Sequence, residues 1–310
     1  MADRPLMRFD DQVAIVTGGA GGLGSTYAHL LASRGAKVLV NDIGVTIEGE
    51  PMDPPPGNAV VEEIVANGGE AVSDTHNVID EAPAIVAAAV EAFGRVDIVI
   101  TSHLVHRAGP FGEMPLDEFE FGNENDYHGT VRVMHAAWPE LVRTGGRALL
   151  TGSGAVFGAA NLSSYMTSKG GIVALGRALS FDGREHGIRV NTVLPFAGTR
   201  QGLSMPGFND FMVKHATPQQ VANGILWLVH DSVEVSGQAF SSTGGFVSRV
   251  ALAQSWGWTD PEGTPEDFRD HAQEIADFGR GVVYPVDSGE HVNFNSDRAV
   301  GFHVDAEYLH

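Results

Sequence analysis

The eight residues TGGAGGLG, Thr17 to Gly24, constrain this chain more than any other stretch. They close an apolar run, QVAIV, that reads as a buried strand, and they open GSTYAHLLASRG, which reads as a helix stopped at Gly35. A glycine-rich passage from strand to helix lets the backbone lie close to a neighbouring group. It also leaves free N–H groups and the positive dipole end of the helix facing outward. That arrangement suits a pyrophosphate, and its place between a strand and a helix separates it from an ordinary glycine turn.

The same rhythm continues along the chain. AKVLVND is a second strand, AVVEEIVANGG a helix, and Glu70 to Ser73 a short strand. APAIVAAAVEAFG is a helix and VDIVITS a strand; RALLTGS, a helix carrying Tyr165, IRVNTVLP and GQAFSST follow. Strands that read as continuous apolar runs and alternate with helices predict an α/β fold: a doubly wound parallel sheet, Rossmann-like, with helices on both faces. Residues 44–57 are rich in Pro and Gly and read as a loop. Residues 1–247 form the expected main domain, and 248–310 an extension. In the extension Thr264-Pro265 marks a helix start, and beyond Phe278 the pattern fades into an extended arm, a short hairpin or disorder, of which an arm against a neighbouring subunit is preferred.

Charge and composition remove several function classes. A formal net charge of -20 in 310 residues disfavours nucleic acid and anionic membranes as partners. It gives a phosphate group no general help, so the glycine turn must hold it locally. Cysteine is absent, which excludes disulfides, thiolate catalysis and cysteine-based metal sites and fits a cytoplasmic protein. No apolar run approaches the ~18 residues of a membrane span, and MADRPLMRFDDQ lacks an apolar signal core. His103 and His106 have no carboxylate pair at ligand spacing, so no metal is expected.

Asp42 ends the second strand about 20 residues past the glycines, where an acidic side chain accepts hydrogen bonds from ribose hydroxyls. It would repel a 2'-phosphate, and neither Ile43 nor Gly44 offers a positive charge, so NAD is expected over NADP. Further along, SSYMTSKGG places Tyr165 and Lys169 four apart, on one face of a helix. A fixed positive charge beside a phenol favours its phenolate, which suits general acid–base work. Taken alone, the pair reads first as a surface tyrosine near a solvated lysine, and the rest of the chain must decide.

In this order, the glycine turn, Asp42, a strand ending Thr151-Gly-Ser153 and Tyr165-x-x-x-Lys169 resemble the short-chain dehydrogenase/reductase family over residues 9 to about 245. VLVNDIG, HAAWPEL, EVSGQAF and the helical tail are similar to the (3R)-hydroxyacyl-CoA dehydrogenase part of peroxisomal multifunctional enzymes. The resemblance implies that Tyr165 is the acid–base, that Lys169 assists it and holds the nicotinamide ribose, and that Ser153 orients the substrate oxygen. It implies cofactor contacts at Thr17, Gly18, Gly22, Leu23, Gly24, Asp42, Asn77, Val78, Thr101, Ser102, Lys169 and Thr199. It also implies a homodimer or homotetramer through the helices beginning near Asp126 and Ser164.

Four departures stand against the family pattern. The serine lies twelve residues before the tyrosine instead of thirteen, as if GSGAVFG had lost one residue. Thr101-Ser102-His103-Leu104 replaces Asn-Asn-Ala-Gly; either the bulky side chains point elsewhere, or the cofactor site is reshaped. Asp126, three before Gly129, takes the place of the relay asparagine and adds charge near Lys169. Asn77 stands where Asp usually meets adenine.

Beyond the sixth strand, a lid over about 195–216 carries Phe196, Leu203, Met205 and Phe208, and Phe157 is expected to face the same site. These residues imply an apolar secondary alcohol or ketone of hydroxyacyl, steroid or terpenoid type. A CoA thioester would need basic residues at the mouth, for which Arg107, Arg200 and Lys214 are the candidates. Two rivals share the fold: a binding protein with weakened cofactor use, and a non-redox enzyme that employs Tyr165.

Overall fold

The computed structural model describes residues 6–45, 51–105, 107–199, 214–285 and 287–300. Two compact units meet at Arg249 and Val250. In the first, an eight-stranded sheet runs β3-β2-β1-β4-β5-β6-β7-β8. Its strands are β1 (Val13–Thr17), β2 (Lys37–Asn41), β3 (Glu70–Asp74), β4 (Ile98–Thr101), β5 (Arg147–Thr151), β6 (Arg189–Pro195), β7 (Ala239–Thr243) and β8 (Phe246–Val250). The first seven pair in parallel. β8 follows β7 through Gly244-Gly245, both with positive φ, a two-residue turn that only antiparallel neighbours can share.

Helices α1 (Gly22–Ala32), α2 (Pro56–Ala66), α3 (Ala82–Phe93), α4 (Leu116–Asn123), α5 (Gly129–Thr144), α6 (Ser163–Asp182) and α7 (Pro218–Ile225) connect the strands. Because successive strand residues face opposite ways, an all-apolar strand feeds two cores. Ala14 and Val16 of β1 join Val38, Val40, Ile98 and Ile100 under α1 and α7. Ile15 joins Leu39, Val99, Ala148 and Leu150 against α3, α5 and α6. The order reverses between β1 and β4, since β2 and β3 lie on one side and β4 onward on the other. The crevice past the C-terminal strand ends at this switch is where such sheets bind ligands.

The second unit departs from expectation. β9 (Gln254–Ser255) and β10 (Val282–Val283) pair antiparallel, and Ser288–Val300 is a helix where the fading pattern predicted an arm. Asp287 Oδ1 accepts from Glu290 N at 2.8 Å, which caps the first turn. Phe294 and Arg298, one turn apart, both reach Trp256, at 5.5 and 5.0 Å between centroid and group. The helix is therefore specified by a partner about forty residues away rather than by its own periodicity.

Candidate active site

The glycine turn is built as a cradle. Gly18 has φ +62°, and a Cβ on it would lie 2.6 Å from the backbone of His103. A Cβ on Gly24 would strike the carbonyl oxygen of Gly18, and one on Gly22 would lie 3.1 Å from Thr199 Cγ2. Glycine is thus required for the turn to close on itself at the start of α1. Gly18→Ala is expected to cost about 2–4 kcal/mol from the left-handed backbone and the forced shift of His103. Thermal melting should show a drop on the order of 3–6 °C; an unchanged midpoint would refute this account of the turn.

The Asp42 carboxylate is fixed at the end of β2. Oδ2 accepts from Ala20 N at 3.1 Å and Oδ1 from Gly44 N at 3.0 Å. Each oxygen keeps a lone pair for a further donor. The neighbouring Asn41 donates to buried Asp74 at 2.6 Å, and Asp74 in turn holds His76 Nδ1 at 2.6 Å, which raises the His76 pKa. The sequence analysis did not anticipate this brace across the ends of β2 and β3. Asn77 Oδ1 caps the turn after it, accepting from Ile79 N at 2.8 Å. The Val78 side chain is buried with the core beside α3 and α5, and Leu23 packs partly against the core under α1. The structure gives both residues packing roles.

Across the switch, Thr101 is in register with Thr17, and its hydroxyl is buried without a hydrogen-bond partner. Ser102 N donates to Thr17 O at 3.0 Å. The His103 side chain turns into the protein: Nδ1 lies 2.6 Å from Thr17 Oγ1, and Nε2 3.5 Å from Thr130 Oγ1. The bulky ring is thus held between Thr17 and Thr130.

Between α4 and α5 the chain makes a π turn, Glu124–His128, and Asp126 lies inside it, 1% exposed. A π turn re-aims side chains that an α-helix would place elsewhere. Here it brings Asp126 Oδ2 to 3.4 Å from Lys169 Nζ and 3.4 Å from Ser168 Oγ, while Oδ1 accepts from Val105 N at 2.8 Å. Burial raises the Asp126 pKa, and the positive charge of Lys169 only partly offsets it.

Helix α6 carries Tyr165 and Lys169 on one buried face. The ammonium lies 5.7 Å from the phenol ring centroid and donates to Thr151 O, at the end of β5, over 3.2 Å. Close approach of α6 depends on small side chains: a Cβ on Gly171 would meet the Tyr127 ring at 3.0 Å, and Ser164 Oγ donates to Phe119 O at 2.8 Å. Ser153, just past the end of β5, is also buried, and its Oγ accepts from Ala155 N at 3.1 Å. The next turn, Gly154–Phe157, leaves Phe157 73% exposed; Phe196 after β6 is 37% exposed. Thr199 packs on the glycine turn, while Leu203, Met205 and Phe208 lie outside the described residues, as do His106 and Arg200. Arg107 pairs with Glu118 and stacks on Phe121, and Lys214 is exposed.

Residues 12–200 match the family model described as short chain dehydrogenase. The chain belongs to the short-chain dehydrogenase family. Curated relatives of the chain are named dehydrogenases. The peroxisomal multifunctional enzyme type 2 of Mus musculus is 32% identical over 88% of this chain, which spans 37% of that relative's length. A short chain dehydrogenase from Mycobacterium avium superposes with a TM-score of 0.74 at 29% identity, over 86% of this chain and 94% of its own. A 7-alpha-hydroxysteroid dehydrogenase, solved with NADH and 7-oxo glycochenodeoxycholic acid, superposes with a TM-score of 0.69 at 30% identity, over 77% and 95% of the two chains.

Proposed function

We propose that this short-chain dehydrogenase uses NAD to interconvert a bulky apolar secondary alcohol and its ketone. The observation that carries the reading is the buried Tyr165–Lys169 pair on α6, set across the same crevice as an intact glycine cradle. When bound, the nicotinamide supplies the hydride acceptor. The glycine turn and the N-terminus of α1 would hold its pyrophosphate, and Asp42, with free lone pairs on both oxygens, would take the adenosine ribose hydroxyls and repel a 2'-phosphate.

The rest of the chemistry falls to side chains of this chain. Ser153 donates a hydrogen bond to the substrate oxygen and orients it. Tyr165 Oη takes the hydroxyl proton during oxidation and returns it during reduction. Lys169, tethered to Thr151 O, places its ammonium beside the phenol, 5.7 Å from the ring centroid. Phe157 and Phe196 offer an exposed apolar surface beyond the ends of β5 and β6, which favours a hydrophobic ring or acyl chain. Of the basic candidates for a CoA thioester, Arg107 is already engaged with Glu118, which favours a steroid-like or terpenoid alcohol. A homodimer or homotetramer through α5 and α6 belongs to the same reading.

The test is NADH formation from NAD with a panel of steroid, terpenoid and hydroxyacyl-CoA alcohols, and the same assay with NADP. Turnover on the ring alcohols with NAD is expected. NADP preferred over NAD would overturn the role of Asp42, and NADH binding without any turnover across the panel would favour a non-redox or binding role.

A further inference from the structure

His103 is the largest departure of the chain from its family's pattern, and none of the chemistry above uses it. Its ring joins two parts of the site. On one side is Thr17, the first residue of the glycine turn; on the other are Thr130 and the π turn that carries Asp126. The backbone of His103 also lies against Gly18, and its Nε2 would be 3.0 Å from a Cβ on Gly129, so the ring fills the space between β1, β4 and α5.

The proton on the ring can be assigned. Thr130 Oγ1 already donates its only hydrogen to Asp126 O at 2.7 Å, so toward His103 it can only accept. Nε2 therefore carries the hydrogen and faces Thr130, and Nδ1 accepts from the Thr17 hydroxyl. Loss of hydration, and then the nearby charge of Lys169, push the ring down to about 3, so it is neutral in every ordinary buffer. A neutral ring with one donor and one acceptor can make both contacts at once; a protonated one cannot.

We propose that His103 is a positioning residue for the dinucleotide: it pins the Thr17 end of the glycine turn to the Asp126 turn and so sets the affinity for the cofactor. This rests on the reading of the chain as a nicotinamide enzyme. The hydrogen bond to Thr17 acts where the backbone must approach the pyrophosphate. Without the ring, only the Ser102 N to Thr17 O bond and the β1–β4 pairing hold the spacing of Gly18 and the His103 backbone, and the cradle is formed only part of the time.

The experiment measures NADH and ADP-ribose binding by titration calorimetry for the parent, His103→Ala, His103→Asn, Thr17→Ala and the double variant His103→Ala/Thr17→Ala, together with the KM for NAD and kcat. The expected result for His103→Ala is binding weakened about tenfold for both ligands, the change from losing one buried hydrogen bond. KM for NAD should rise with kcat at saturation within about threefold, since Tyr165 and Lys169 are untouched. His103→Asn, whose amide can replace Nδ1, should recover most of the affinity, and the double variant should bind as His103→Ala does. Parent-like affinity in His103→Ala would overturn the proposal while leaving the dehydrogenase reading intact. Independent, additive losses in the double variant would also overturn it. A parent that binds neither ligand would sink the cofactor reading itself, and the proposal with it.

Discussion

Tyr165→Phe is expected to bind NADH with parent affinity and to lose about 10²- to 10⁴-fold in kcat, the contribution of a positioned acid–base. The substitution removes one oxygen and nothing else. The ring is 7% exposed and packs on α6 in a way phenylalanine reproduces, so the melting midpoint should stay close to the parent's. Lys169 keeps its bond to Thr151 O and its ion pair with Asp126, because neither depends on the phenol oxygen. The expected signature is therefore a fall in kcat with KM for NAD and stability preserved, which separates loss of proton transfer from loss of structure. Turnover at the parent rate would remove Tyr165 from the chemistry and reopen the non-redox reading.

The strands and the glycine turn were legible because both are local. The strand residues of β1 and β4 are buried throughout since both faces are covered, and the strand–turn–helix pattern is complete within TGGAGGLG, although the structure adds His103 and Thr199 as distant reasons for Gly18 and Gly22. Asp126 was found by counting back from Gly129, and the structure adds the reason it faces Lys169: the π turn, which no sequence period announces. His103 was seen as an anomaly, but its partners Thr17 and Thr130 lie 86 and 27 residues away, so its direction could not be read. The Ser288–Val300 helix failed for the same reason, since its apolar side is defined by Trp256. Leu23 and Val78 were named for the cofactor from the family pattern; the structure adds that their side chains pack on the core.

Lys169→Met should destabilise the protein more than any other substitution at the site, and the loss should depend on pH. Lys169 and Asp126 are 2% and 1% exposed and 3.4 Å apart, so removing the ammonium leaves a buried carboxylate with only the neutral donors Val105 N and Ser168 Oγ. Breaking such a pair costs about 3–5 kcal/mol. Burial already raises Asp126, and Lys169 is the largest influence opposing that rise, so the variant's carboxyl must move further up. A carboxyl raised in the folded state binds its proton there before the unfolded chain does as pH falls. Its contribution to stability is therefore most favourable below the unfolded value of about 3.9 and is lost as pH rises through the folded value. The gap in melting midpoint between parent and Lys169→Met should accordingly be widest near neutral pH and narrow on acidification, as Asp126 takes up a proton. Adding Asp126→Asn to the variant removes the stranded charge and should restore much of the midpoint at neutral pH, without restoring turnover. A gap that is flat with pH, or a double variant no more stable than Lys169→Met, would show that Asp126 and Lys169 are not coupled and that the ammonium stabilises α6 through Thr151 alone.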